Sequence, residues 1–140
     1  MNLADVNGLV YAFREDAPLH ARCKAWLDRV VLGAARFGVF PLALSAVMRV
    51  TTNPRAFVNP STLEEALGFC DDLLSQPHCV VVEPGNRHWG IFKRICLEAR
   101  VRGPMTSNAW FAALAIEHGR AWITCDRDFG RFPGLDWRAP

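Results

Sequence analysis

The chain alternates short apolar runs with longer stretches whose apolar residues recur every three or four positions. "NLADVN", residues 2–7, predicts a short strand ending in a polar turn, and "VYAFREDA" then carries one or two helical turns that stop near Pro18. From His20 to Val31, residues Cys23, Trp26, Leu27, Val30 and Val31 keep the spacing of an amphipathic helix, and Gly33 is its stop. "RFGVFP" predicts a strand, and "LALSAVMRVTT" a buried helix closed by "NPR". In "NPSTLEEALGFCDDLLSQP", Ser61 with Glu64 predicts a capping box, and Leu67, Cys70, Leu73 and Leu74 form one apolar stripe. "CVVVEPG" is a strand that breaks at Pro84, and "RHWGIFKRICLEARVRG" an amphipathic helix with a basic outer side. "SNAWFAALAIEHG" predicts an alanine-rich helix opened by Ser107 and closed by Gly119, followed by the strand "AWITCDRDF" and a last short strand in "LDWRAP".

Strands separated by helices imply an α/β fold, with a central parallel sheet carrying helices on both faces. No repeat or linker interrupts the 140 residues, a length suited to one domain spanning 1–140 that buries about two-thirds of its unfolded surface. With 51% hydrophobic and 21% charged residues the chain is neither disordered nor membrane-embedded. No apolar run reaches the roughly 18 residues of a membrane helix, and Asp5 interrupts the first apolar segment, so no signal peptide is expected. These features point to the cytoplasm. Five cysteines without a C-x-x-C spacing argue against a disulfide framework and a zinc site, leaving reduced thiols that act mostly as small buried hydrophobes. The net charge of +2 neither establishes nor excludes a nucleic-acid partner.

In parallel sheets, sites gather outside the carboxyl ends of the strands. Asp5 ends the first strand, Asp126 and Asp128 end a late one, and Asn108 opens the helix before it, so all four can face one crevice. Clustered carboxylates repel unless a hard cation such as Mg²⁺ or Mn²⁺ neutralises them. A cation so held can activate water for phosphodiester attack. Acids at strand ends are also ordinary turn residues, and spacing alone leaves both readings open.

The stretches "LADVNGLVYAFREDAPLH", "VMRVTTNPRAF", "VVVEPGNRHW", "SNAWFAALAIEHG" and "TCDRDFGRFPGL", in this order from about residue 3 to residue 135, resemble the PIN-domain toxins of the VapC type, ribonucleases of type II toxin-antitoxin pairs. The resemblance implies a PIN-like α/β/α sandwich, Mg²⁺-dependent cleavage of structured RNA such as tRNA or rRNA, neutralisation by a cognate VapB-type antitoxin, and a homodimer. It places Asp5, Asn108, Asp126 and Asp128 in the catalytic metal site, with Asn7 supporting the first turn and Thr124 orienting the last loop. It also implies that the basic and aromatic first half carries the antitoxin and dimer contacts.

Two positions depart from the family pattern. Ala46 stands where many relatives have glutamate, and Asn108 where aspartate is common. An amide oxygen can ligate Mg²⁺ only as a neutral ligand, so weakened cation binding and activity are expected. A PIN domain that retains antitoxin or RNA binding without cutting is the alternative. A haloacid-dehalogenase-type phosphotransferase also uses D-x-D, but on its first strand; here the first strand offers "DVN". Arg49, Arg55, Arg87, His88, Lys93, Arg94, Arg100 and Arg102 are candidate phosphate contacts or solvated charges, with Arg49 favoured because it interrupts an apolar helix. Trp89 and Trp110 are expected in the core, and His118 at a helix end as a cap rather than a catalyst.

Overall fold

The computed structural model describes all 140 residues. Five strands, β1 (Asn2–Ala4), β2 (Phe37–Val39), β3 (Cys79–Val81), β4 (Ala121–Ile123) and β5 (Trp137–Arg138), form one sheet in the order β3-β2-β1-β4-β5. Every pairing is parallel, with Leu3 opposite Gly38 on one side and Trp122 on the other. Six helices connect them: α1 (Val6–Phe13), α2 (His20–Leu32), α3 (Pro41–Thr51), α4 (Leu63–Leu74), α5 (His88–Ala99) and α6 (Met105–Glu117). The architecture is the α/β sandwich expected from the alternating pattern.

The chain builds outward from β1 through β2 to β3, then crosses back to lay β4 on the other side of β1. Parallel crossovers are right-handed, so this reversal puts α5 and α6 on the face opposite α1 to α4. It also makes the gap beyond the ends of β1 and β4 the switch point where such sheets open a crevice. The three central strands are short and, Asn2 apart, apolar: Leu3, Phe37, Val39, Trp122 and Ile123 are all buried. At the edge, Val81 of β3 is exposed. Helix α6 buries Ala112, Ala113, Leu114 and Ala115 in succession; small side chains let neighbours approach on more than one side, so no narrow stripe shows in its sequence.

Several boundaries shift. The first strand stops at Ala4 and α1 starts at Val6, so "DVN" opens a helix. The capping box lies one residue later than expected: Thr62 Oγ1 accepts from the Glu65 N–H at 3.1 Å, and Glu65 Oε1 accepts from the Thr62 N–H at 3.3 Å. Ser61 is instead held by tertiary structure, accepting from Arg14 Nη1 at 2.9 Å. Helix α6 begins at Met105 behind Pro104, which seats Ser107 and Asn108 inside the helix rather than at its cap. It ends as expected, with Gly119 at φ +59°, a conformation glycine adopts without strain. The run "AWITCDRDF" leaves the sheet after Ile123 and turns through a bend into a 3₁₀ turn over Arg127–Arg131. Trp89 is 67% exposed rather than in the core, whereas Trp110 is partly buried between His88 and Phe111. Only Cys23 and Cys70 are buried; all five cysteines are free thiols. No helix is long and apolar enough to cross a membrane.

Candidate active site

The crevice between β1 and β4 holds a cavity of about 330 Å³ lined from four elements. Asp5, Val6 and Asn7 come from the start of α1; Ser107, Asn108 and Phe111 from α6; Asp126 and Phe129 from the segment after β4. Helix α3 contributes Leu42, Ser45, Ala46, Arg49 and Val50, spaced as a single helical face. The Asp5 N–H donates to the Ile123 carbonyl at 2.9 Å, prolonging the β1–β4 ladder by one bond before the chains diverge. That bond fixes the backbone from which the Asp5 carboxylate enters the cavity.

One hydroxyl joins the two acids. Thr124 Oγ1 donates to Asp5 Oδ2 at 2.6 Å and accepts from the Asp126 N–H at 3.0 Å. Asp126 Oδ1 accepts from the Asp128 N–H at 2.9 Å, which caps the 3₁₀ turn. Asp5 is 4% exposed. Burial pushes its carboxyl up to about 6; the Thr124 hydroxyl and the Val6 and Asn7 amides oppose the rise, and the charge of Asp126 adds to it. Neither Asp5 nor Asp126 is in an ion pair, although Arg49 lines the same cavity.

The expected site residues are thus divided. Asp5, Asn108 and Asp126 line one cavity, with Ala46 on its α3 wall. Asp128 does not line it: its side chain is 60% exposed and stands 4.0 Å from Arg131 Nη2, and only its backbone N–H reaches Asp126. The Asn108 amide makes only a long contact, 3.8 Å, to Met105 Sδ. Of the basic candidates, Arg49 alone lines the cavity. Arg87 donates to the Glu117 carbonyl at 2.6 Å, buried His88 donates through Nε2 to the Trp110 carbonyl at 3.0 Å, and Arg94 pairs with Glu98 at 3.3 Å. Arg55, Lys93, Arg100 and Arg102 are exposed elsewhere. His118 is the C-cap of α6 through its backbone N–H, whereas its side chain donates through Nε2 to the Glu83 carbonyl in the segment after β3 rather than to a carbonyl of its own helix.

Sequence reading missed Ser45, Ser107, Phe111 and Phe129 as wall residues. Ser45 could have been found from the helical face it shares with Arg49 and Leu42; the two phenylalanines look like any core aromatic.

The donor set suits a hard cation of low ligand demand. Mg²⁺ and Mn²⁺ often take one or two carboxylates and keep several waters, and the cavity offers two carboxylates and a neutral amide with no competing cation bound to them. Three or more His, Cys, Asp or Glu side chains gather at metal-binding spacing nowhere in the molecule.

The PIN domain family model matches residues 3–135. Ribonuclease VapC43 of Mycobacterium tuberculosis (strain ATCC 25618 / H37Rv) is 36% identical over 140 residues, covering all of this chain and 95% of the relative. Among solved structures, VapBC2 from Rickettsia felis, bound to a DNA fragment from its promoter, superposes with a TM-score of 0.69 at 15% identity, covering 99% of this chain and 97% of that one. VapC20 of Mycobacterium tuberculosis, described as a sarcin–ricin loop cleaving toxin, gives 0.71 at 11% identity, covering 97% and 98%. At such identities the structural likeness speaks for the fold alone. The parallel sandwich is that of a PIN domain. The chain belongs to the PIN-domain family, on its VapC branch.

Proposed function

We propose that this chain is a divalent-cation-dependent endoribonuclease toxin of the VapC type. It acts on structured RNA such as tRNA or rRNA in the cytoplasm, with activity lowered by Asn108 and Ala46. The observation that carries the reading is the convergence of Asp5 and Asp126, with Asn108, in one cavity that leaves both acids without a basic partner. Asp5, Asp126 and the Asn108 amide hold Mg²⁺ or Mn²⁺, while Asp128 acts through the backbone amide that fixes Asp126. When bound, the cation supplies positive charge to an attacking water and to the oxygen that leaves the phosphodiester. Thr124 keeps Asp5 and Asp126 at a fixed separation, Arg49 grips an RNA phosphate, and Phe111 and Phe129 wall the site against bulk water.

A VapB-type antitoxin neutralises the toxin. The apolar groove between α1, α2 and α4, lined by Phe13, Leu27, Val31, Phe69 and Leu73, supports a place for it. Exposed Trp89 and Leu97 on α5 support a homodimer in which a second copy covers them.

The alternative, a binding module that captures antitoxin or RNA without cutting, is favoured by the same two neutral positions. A calorimetric Mn²⁺ titration and an RNA cleavage assay, each run beside Asn108→Asp, separate the two. Slow cleavage that Asn108→Asp accelerates supports the enzyme. No cleavage by either protein, with RNA still bound, establishes the module, and equal rates for both refute a role for Asn108 in lowering activity.

A further inference from the structure

Cys23 of α2 and Cys125, in the bend after β4, bring their sulfurs to 3.6 Å although 102 residues separate them in sequence. Both are free thiols, and neither takes part in the proposed chemistry. Cys23 is fully buried, whereas Cys125 is partly exposed and lines an open cavity of about 620 Å³ with Leu19, Arg22, Arg127 and Trp137. A covalent S–S bond of about 2.05 Å requires the sulfurs to close by roughly 1.5 Å. Cys125 can supply that movement, because it lies between the last residue of β4 and the 3₁₀ turn, outside regular structure.

We propose that Cys23 and Cys125 are a modification site, a thiol pair that a hydroperoxide converts to an intramolecular disulfide. The sulfur of the partly exposed Cys125 attacks a peroxide oxygen and the O–O bond breaks. The leaving oxygen takes the thiol proton and departs as water, or as the alcohol of an organic hydroperoxide. Cys125 is then a sulfenic acid. The Cys23 sulfur, already in contact, attacks it; the S–O bond breaks, and the hydroxyl leaves as water with the Cys23 proton. Two thiols lose two electrons in all, and the peroxide gains them. The new bond ties α2 to the loop that carries Thr124 and Asp126 on either side of Cys125. Oxidation therefore displaces the hydroxyl and the carboxylate that face Asp5, and this coupling rests on the metal reading above.

The full chain, treated with hydrogen peroxide, blocked with an alkylating agent and digested with trypsin, gives the test. The dipeptide Cys23–Lys24 is expected cross-linked to the peptide Ala121–Arg127, and dithiothreitol should separate them. Recovery of both as alkylated free thiols, or of Cys125 as a sulfinic acid with Cys23 free, overturns the proposal. Mn²⁺ affinity is expected to fall about tenfold on oxidation and return on reduction, as for loss of support around a ligand, while Cys23→Ser, which keeps the Cys125 thiol but lacks its partner, should give no cross-linked peptide after peroxide. A disulfide that leaves Mn²⁺ affinity unchanged overturns the coupling. A reduced protein that binds no Mn²⁺ refutes the metal reading instead, and the peptide map still decides the disulfide.

Discussion

Thr124 donates its hydroxyl to Asp5 at 2.6 Å across 119 residues of sequence, and the same oxygen accepts the Asp126 amide. The hydroxyl is therefore the hinge on which the two ends of the chain meet: it orients the buried carboxylate that follows the first strand and the backbone of the acid that follows the fourth.

Thr124→Val keeps the shape and removes the hydroxyl. Asp5 Oδ2 and the Asp126 N–H both lose their partner, at a cost of about 1–3 kcal/mol of stability in urea denaturation. Mn²⁺ affinity measured by calorimetry should fall about 10- to 100-fold. Thr124→Ser, which keeps the oxygen, should lose far less of both; equal losses in the two variants would show that the methyl group, not the hydroxyl, matters.

The Asp5 carboxyl, pushed up to about 6 by burial, makes cation-free stability depend on pH. The folded state holds this proton more tightly than the unfolded chain, so the stabilisation is complete below the ordinary aspartate value near 4 and is lost as pH rises through about 6. The loss across that window is about 3 kcal/mol at most. Chemical denaturation in a chelator at pH 4 to 7.5 should show the decline, saturating Mn²⁺ should remove it, and Asp5→Asn should flatten that part of the profile. A decline that persists unchanged in Asp5→Asn would assign it to another group.

What the sequence made legible was whatever repeats with a period or stands at a strand end. The order of strands and helices, the parallel sheet and the meeting of Asp5 with Asp126 all follow from alternation and the switch-point rule. Boundaries were less visible, because local rules compete: Ser61 and Thr62 both suit a cap, and only the tertiary bond from Arg14 to Ser61 decides between them. Asp128 shows a second limit. Alternate residues share a face only while a strand lasts, and β4 ends at Ile123, so Asp126 and Asp128 part company in the turn. Glu117 lay beyond sequence reading altogether, since its partners are backbone amides about thirty residues away.

Glu117 supplies a stability prediction. Its carboxylate accepts the Gly85 N–H at 2.7 Å and the Arg87 N–H at 3.0 Å, fixing the turn between β3 and α5. Burial pushes its carboxyl up, but the two amides, with His118 and His88 nearby, hold it below the usual carboxylate range. Glu117→Ala leaves both amides unpaired and should cost about 2–4 kcal/mol in urea denaturation. Glu117→Gln keeps one oxygen acceptor and should cost roughly half as much. The cavity residues lie elsewhere, so Mn²⁺ affinity of the folded protein should be unchanged; a parallel loss of Mn²⁺ binding would tie this turn to the crevice.

Ala46→Glu and Asn108→Asp test whether the four walls share one cation. Each variant adds a carboxylate to a cavity that already holds Asp5 and Asp126 without a basic partner. In a chelator the added charge repels its neighbours, and Tm should fall for each variant, further than the sum for the pair, because the sites are coupled. Mn²⁺ binds only the folded state, so it should raise Tm more in each variant than in the parent and most in the double variant. That inversion is the diagnostic result: an acid that destabilises without metal and stabilises with it must face the cation. The same Mn²⁺-induced rise in all four proteins would mean that Ala46 and Asn108 lie outside the cation's reach, and that Asp5 and Asp126 bind it alone.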